Sequence, residues 1–435
     1  MVYTSKLICY NMRNYFSKKI VVDEPQKGLS TFVLPTGVKE VITFAGSLPC
    51  GTLYSPRKNS EISSLAAGML DKGTKNKDKF EVSDILESVG AEINFFNTAH
   101  HVQFTGYCLK NDLDTVLCLL GEQLRTPLFL EKELSTLKKR LVGNLERSKE
   151  DTKKQAMIGL LRKLYPPHHP NYALTTDEKI ELVSSVRTKE IKTFHKNTYR
   201  LGGFNFSAAG DVSPDTINKL LKEQFSRWKK GPDIPYRLDL KARPIKGKKR
   251  RIPIPDKQSI DMYLGQAIGI NRRHKDYYPL KMAIYVLGGN FSARLMQTIR
   301  DEAGLTYGIG SSLSGTGFGS DGYWSTWATF APDLLEKGKR ATRNQIKEWY
   351  NNGITEKELK EKKTTIMGAY KVGLDSTGGL AARILSNAQQ REKIEHLDKY
   401  PEIIKNISLD KVNKTIKKYI KPKQLTFVAA GTFDD

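Results

Sequence analysis

The stretch Gly288-Gly289-Asn290-Phe291-Ser292-Ala293-Arg294-Leu295 runs on through Ile299-Arg300-Asp301-Glu302-Ala303-Gly304-Leu305-Thr306-Tyr307. The glycine pair makes a turn that opens a short amphipathic helix, and Gly304 breaks that helix before Tyr307. Arg300 thus precedes Tyr307 by seven residues. A guanidinium can hold a carbonyl or a carboxylate, and a phenol can donate to a developing oxyanion, so the pair suits a bound peptide. On residue type alone the plainer reading is a solvated helix residue and a core aromatic. The rest of the chain has to decide between the two.

Two halves of the sequence echo each other. Phe204-Asn205-Phe206-Ser207-Ala208-Ala209-Gly210-Asp211 returns 221 residues later as Leu425-Thr426-Phe427-Val428-Ala429-Ala430-Gly431-Thr432. Glu133-Leu134 and Glu358-Leu359, 225 residues apart, each open a lysine-rich helical pattern that reaches Gly143 or Gly368. Two echoes in one order at nearly one offset indicate a duplicated domain rather than a solenoid. The expected division is residues 1–235, a connector over 236–257, and residues 258–435. The connecting region, from about Lys229 to Lys257, holds Pro232, Pro235, Pro244, Pro253 and Pro255 among many charges and reads as extended and solvated.

Strand patterns fall at Lys39–Phe44, His101–Leu109, Asn205–Ala209, Met262–Ile270, Tyr323–Phe330 and Gln424–Ala429. Helical patterns cover Glu61–Leu70, Val82–Val89, Asp112–Leu124 and Glu131–Glu150 in the first half. Tyr278–Val286, Leu334–Asn351 and Glu356–Gly373 follow in the second. Strands grouped around helical hairpins predict an α+β fold, each domain a mostly antiparallel sheet packed against helices.

A chain of 435 residues with 39% hydrophobic and 9% aromatic content is globular and long enough for several cores. No apolar run approaches the roughly 18 to 20 residues of a membrane span, so none is expected. Charges and polar groups interrupt the apolar residues of 1–19, unlike a secretory leader. The cytoplasm is therefore the default compartment, and the periplasm follows if a leader has been removed. Cys9, Cys50, Cys108 and Cys118 show no C-x-x-C spacing and read as reduced thiols, mostly buried. The net charge of +24 raises nucleic acid as a partner, with Lys246-Gly247-Lys248-Lys249-Arg250-Arg251 the obvious patch. Basic residues spread along the whole chain, however, so nucleic acid is not expected. An acidic partner subunit or anionic peptides are the better complement.

The glycine turn and the arginine–tyrosine spacing resemble those of the M16 zinc peptidases, the pitrilysin and insulin-degrading-enzyme-like family. Gly68-Met69-Leu70-Asp71-Lys72-Gly73-Thr74 resembles the segment just after that family's metal motif. Leu164-Tyr165-Pro166-Pro167-His168-His169-Pro170-Asn171-Tyr172, Ala208-Ala209-Gly210-Asp211 and Gly353-Ile354-Thr355-Glu356-Lys357-Glu358-Leu359 are further family-like phrases. The resemblance spans nearly the whole chain from about Gly28. It implies half of a clamshell, in the LuxS-metallohydrolase-like arrangement of two homologous domains.

Active members carry H-x-x-E-H on a helix, with two histidines on zinc and a glutamate activating water. Aligned on the Gly68 segment, those positions fall on Ser64-Leu65-Ala66-Ala67-Gly68. Ser64 and Gly68 replace the histidines and Ala67 replaces the base. The later glutamate ligand falls on or beside Leu145, with Glu146 adjacent. The expectation is no metal at this place. Adjacent His100 and His101, on a strand, would point to opposite faces and could not chelate together. His168 and His169 sit in a proline turn and read as exposed, and His195, His274 and His396 are isolated. Gly317, Gly319 and Gly322 match G-x-G-x-x-G but join two strand-like runs, which favours a glycine-rich hairpin over a dinucleotide site. No nucleophile elbow is present.

The resemblance therefore implies the non-zinc subunit of a heterodimeric metallopeptidase. Arg300 and Tyr307 would act in trans at the zinc site of a partner bearing H-x-x-E-H. Gly288, Gly289 and Asn290 would contribute to peptide binding, and zinc would belong to the partner alone. A basic interior wall would favour unfolded, acidic peptides. The alternative is a catalytically inert scaffold or core subunit of the same fold. The processing-peptidase form with a long glycine-rich loop fits poorly, since the turn here is only Gly288-Gly289-Asn290.

Overall fold

The computed structural model describes residues 16–231, 241–244 and 246–433. Cys9, the 235/236 boundary, Pro232 and Pro235 lie outside the described residues. The first half begins β1 (Val21–Gln26), β2 (Leu29–Pro35), β3 (Val41–Leu48), α1 (Ile62–Ala67), α2 (Lys79–Ser88), β4 (Glu92–Asn97) and β5 (Val102–Leu109). It continues α3 (Leu113–Arg125), α4 (Glu131–Ser148), α5 (Thr152–Leu164), α6 (Thr176–Ser185), α7 (Thr188–Thr198), β6 (Phe204–Gly210) and α8 (Pro214–Phe225). The second half begins β7 (Lys249–Pro253), β8 (Ile260–Ala267), α9 (Tyr277–Gly288), a π-helix (Met296–Glu302), β9 (Gly308–Ser314) and β10 (Tyr323–Phe330). It ends α10 (Leu335–Asn352), α11 (Glu356–Val372), α12 (Thr377–Gln389), α13 (His396–Lys405), α14 (Leu409–Tyr419) and β11 (Thr426–Gly431).

The strands form two sheets, in the orders β1-β2-β6-β3-β5-β4 and β7-β11-β8-β10-β9. All pairings are antiparallel except β2 with β6 and β7 with β11. The α+β architecture therefore appears twice, with the unique parallel pairing at corresponding places. Residues 249–253, which read as connector, form β7, and the basic run Lys249-Arg250-Arg251 pairs with Phe427, Val428 and Ala429. Regular pairing beside the buried β11 outweighs the extended, solvated tendency that prolines and charge gave this stretch.

Each sheet packs its own helices on one face and a helix of the other half on the opposite face. From the first half, Ala156, Leu160 and Leu164 of α5 pack with Tyr263, Val428 and Ala430. From the second, Ala381, Ile384 and Leu385 of α12 pack with Leu34, Ala45 and Ala209. The exchange explains the echoing strand phrases. Ala208 faces the first core and Ala209 faces α12, whereas Ala429 faces the second core and Ala430 faces α5. Side chains alternate across a strand, so a strand covered on both faces must be apolar throughout. Small residues let the helices approach closely. Ser207 Oγ donates to the Ala381 carbonyl at 2.8 Å, and Thr43 and Thr377 hydroxyls meet at 2.8 Å. On α5, a Cβ at Gly159 would fall 2.8 Å from Val428 Cγ1 and 2.9 Å from Ile252 Cδ1.

The exchange predicts that the halves unfold together. Ile384→Ala should cost about 2–5 kcal/mol and Gly159→Val about 1–3 kcal/mol. Each should shift a single denaturant transition read by far-UV circular dichroism. Two resolved transitions in the unmodified chain would contradict the interlock.

Candidate functional site

The arginine–tyrosine segment lies on the surface of the second half. Tyr307 is 96% exposed and Phe291 77% exposed. Tyr307 makes no hydrogen bond or ring contact with a described residue, so it is not the core aromatic that residue type alone suggested. Among the described residues Arg300 meets only its neighbour Asp301, at 3.3 Å, and the Phe291 ring, 6.0 Å from the guanidinium carbon. Exposed contacts of this kind stabilise little. They leave the guanidinium able to take a ligand.

Close packing and hydrogen bonds hold the segment that carries these side chains. Arg300 sits in the π-helix, not the ordinary amphipathic helix that sequence indicated, and Gly304 ends it at a φ of +61°. That dihedral suits glycine. Gly288 closes α9 against β9, since a Cβ there would fall 2.6 Å from the Ser311 nitrogen. Gly288 and Gly289 thus act through close packing at a helix end, and Asn290 through a fixed hydrogen bond. Two groups of α11 hold the turn. Glu358 takes a two-pronged bond from Arg294, with Nη2 to Oε2 at 2.7 Å. Buried Lys362 donates to Asn290 Oδ1 at 3.0 Å, the Ser292 carbonyl at 2.8 Å and Ser292 Oγ at 2.7 Å. Burial holds the Lys362 ammonium below its ordinary pKa, opposed by Glu361 and Glu358. Sequence reading passed over Arg294, Glu358 and Lys362 because lysine-rich α11 looked like an ordinary solvated face.

The zinc-motif positions come together without a ligand set. Ser64 lies on α1, beside Asn97, whose Nδ2 donates to Ser64 Oγ at 2.9 Å, Ser63 Oγ at 3.2 Å and Thr52 Oγ1 at 3.0 Å. Ala67 is buried in the first core, and Leu145 of α4 packs against the same core. A Cβ at Gly68 would stand 3.1 Å from Leu137 Cδ2. An amide–hydroxyl cluster and leucines thus occupy the place, and neither is a donor set that suits zinc. Among the described residues, no group of three or more His, Cys, Asp or Glu side chains is placed to hold a metal ion. Restoring the motif as Ser64→His/Ala67→Glu/Gly68→His should leave zinc far below one per chain by plasma mass spectrometry. It should also lower the melting temperature, because Leu137 blocks position 68.

Two histidine expectations need correction. His100 and His101 precede β5 in the turn after β4 rather than lying on a strand, and both rings lie against Phe318, with centroids 4.4 and 4.9 Å away. Burial pushes His100 down to about 4. Burial, with His100 and Arg391 nearby, takes His101 down to about 3. His169 is buried rather than exposed: it stacks on Tyr165 at 4.1 Å and its Nε2 meets Asp321 Oδ1 at 2.8 Å. Asn171 Nδ2 donates to the Gly315 and Asp321 carbonyls. Both histidine groups therefore clasp the 315–322 loop, the hairpin connection between β9 and β10 in which the G-x-G-x-x-G match lies. Cys50 and Cys108 are buried free thiols, and Cys118 is a partly buried one.

The sign of the acid dependence follows. Folded His100 and His101 stay neutral while their unfolded counterparts protonate below the ordinary value of 6.5. Each therefore adds no cost above pH 6.5 and withdraws up to about 1.4 kcal/mol per pH unit as pH falls toward 4. His101→Gln should flatten the loss of stability over pH 6.5–4 relative to the unmodified chain. Equal slopes in urea titrations would refute this.

Two family models match the chain over consecutive segments. Residues 39–165 match the insulinase (peptidase family M16) domain, and 185–366 match the peptidase M16 inactive domain. The chain belongs to the M16 family. Among relatives, a "Non-peptidase homolog YmxG" of Helicobacter pylori is 23% identical over 383 residues, covering 87% of this chain and 86% of that one. An uncharacterised zinc protease YmxG of Bacillus subtilis is 23% identical, covering 83% and 86%. Among solved structures, a peptidase M16 inactive domain from Pseudomonas fluorescens superposes with a TM-score of 0.87 at 20% identity, covering 95% of this chain and 98% of that one. A Helicobacter pylori protease gives 0.83 at 18%, covering 95% and 99%. These likenesses establish the fold, two sheet-and-helix halves of the M16 inactive-domain type. No helix among the described residues is long and apolar enough to cross a membrane.

Proposed function

We propose that this chain is the non-zinc subunit of a heterodimeric M16-type metallopeptidase. It would lend Arg300 and Tyr307 to the hydrolytic centre of a zinc-bearing partner that carries H-x-x-E-H. The observation that carries this reading is Tyr307 itself. A 96% exposed tyrosine, without a hydrogen-bond partner among the described residues, lies seven residues after a lightly engaged arginine on one segment. Packing and folding give such a side chain no reason to be there. Contact with a bound chain does.

The chemistry asked of this subunit is modest. Arg300 would hold a backbone carbonyl or carboxylate of the peptide, fixing its position. The Tyr307 hydroxyl would donate to the oxygen on which negative charge develops, a contact stronger in the transition state than in the bound peptide. Hydrolytic chemistry would come from the partner, because Ser64, Ala67, Gly68 and Leu145 supply none. The excess of cations favours peptides with acidic character.

The test mixes this chain with a zinc-bearing M16 chain that carries H-x-x-E-H and follows cleavage of fluorogenic peptides. Tyr307→Phe should lower turnover by about 10²-fold while leaving the melting temperature unchanged, since the ring is exposed. Unchanged turnover in the assembled pair would instead favour the inert scaffold.

A further inference from the structure

The second half carries a groove of about 550 Å³ between α10 and residues 420–425. Buried Ile346, Ile420 and Leu425, with half-buried Tyr350, give it an apolar floor. Arg343, Lys347, Lys421 and Lys423 line it, and among the described residues no aspartate or glutamate does. The Arg343 guanidinium is half-buried and makes no hydrogen bond, ion pair or ring contact with any described residue. Burial holds its pKa below the ordinary value.

Duplication shows why this cation is out of the ordinary. Helices α3 and α10 each follow a short 3₁₀ turn and start with a buried leucine, Leu113 or Leu335. Their buried positions then run in step: Val116, Leu120 and Leu124 correspond to Gly338, Thr342 and Ile346. In that register Gly121 corresponds to Arg343 and Arg125 to Lys347. In the first half α8 lies on α3 at this point. A Cβ at Gly121 would fall 2.9 Å from Gln224 Oε1, and Arg125 Nη2 donates to the same oxygen at 3.1 Å. In the second half, no described helix takes the place of α8, and the glycine that would admit one is an arginine. A site closed by a helix in one half is thus not closed by any described helix in the other, and a cation is set into it.

We propose that this groove binds the C-terminal residue of an extended peptide, its carboxylate on Arg343 and its apolar side chain on the Ile346–Leu425 floor. An incoming helix is disfavoured because Arg343 occupies the place where Gln224 packs in the first half. A fatty acid would use the cation and the floor but leave the side-chain amides of Asn344, Asn351 and Gln424 unused. Those amides suit a peptide backbone, with both donors and acceptors. The volume matches a site for a few residues, and a planar guanidinium pairs with a carboxylate through two parallel bonds. The proposal deepens the peptidase-subunit reading by giving this chain a second hold on the substrate or product. Because the measurement is binding by this chain alone, its outcome is separable from that of the catalytic role.

Calorimetry on the full chain without a partner provides the test, using acetyl-Ala-Ser-Ala-Ala-Leu as the free acid and as the C-terminal amide. The free acid should bind about ten-fold or more tightly than the amide, as expected for one charge-assisted pair. Arg343→Gln should bring the acid down to the level of the amide, and Arg343→Lys should retain part of the preference. Melting temperatures of both variants report on folding. The proposal is overturned if acid and amide bind alike, or if neither binds at millimolar concentration. It also fails if decanoate or inorganic phosphate binds as tightly as the acid, or if Arg343→Gln keeps the preference.

Discussion

The reciprocal exchange of α5 and α12 is the constraint on which this molecule is built. A sheet with helices on one face would leave its other face wet and could carry polar residues there. Here each half covers the exposed face of the other, so β6, β8 and β11 are buried on both sides and neither sheet is complete without the opposite half. That arrangement fixes the relative placement of the sheets through packed side chains, and no long linker has to hold it. Tyr165, His169 and Asn171, which follow α5, extend the attachment to the 315–322 loop.

Much of this was legible because duplication leaves marks that composition cannot erase. The alanine-alanine-glycine phrases at 208–210 and 429–431 revealed equivalent strands. Their physical basis is double-sided burial followed by a glycine at φ of +141° or +148°. Helices α4 and α11 showed through because each has a lysine-rich outer face and regular apolar spacing. The exchange itself was not legible. Helices α5 and α12 start 225 residues apart, as α4 and α11 do, but nothing in an amphipathic helix names the sheet it will cover. Tertiary packing chose that. Strand β7 was hidden for the opposite reason, since its side chains are mostly solvated and only backbone pairing to β11 makes it a strand.

The candidate residues could be named from sequence, whereas what supports them could not. Spacing picked out Arg300 and Tyr307, and the structure places both at the surface on one short segment. What sequence could not supply was the means of holding them. Lys362 lies in a run of lysines, and nothing local distinguishes the one whose ammonium is buried against Asn290 and Ser292 from its solvated neighbours. The histidines misled for a related reason. Strand periodicity set His100 and His101 on opposite faces, but in the turn that rule lapses, and Phe318 from the other half gathers both rings.

The same logic connects the positions that align with the family's metal motif to the displayed segment. A zinc site needs several charged or imidazole ligands held close together, and removing them relieves the first core of buried polar groups that would otherwise need partners. At these positions Ala67, Leu137 and Leu145 fill the interior with aliphatic side chains, beside the Asn97 amide whose nitrogen meets three hydroxyls. Such aliphatic packing stabilises the first half. It would not by itself retain an exposed tyrosine, whose ring buries nothing here. An inert scaffold would be free to replace Tyr307 with any soluble residue and to let the π-helix relax. Instead, α11 devotes a buried ammonium and a two-pronged ion pair to fixing the turn before it. Burying Lys362 works against stability, as its lowered pKa indicates, and its three hydrogen bonds to Asn290 and Ser292 offset part of that cost.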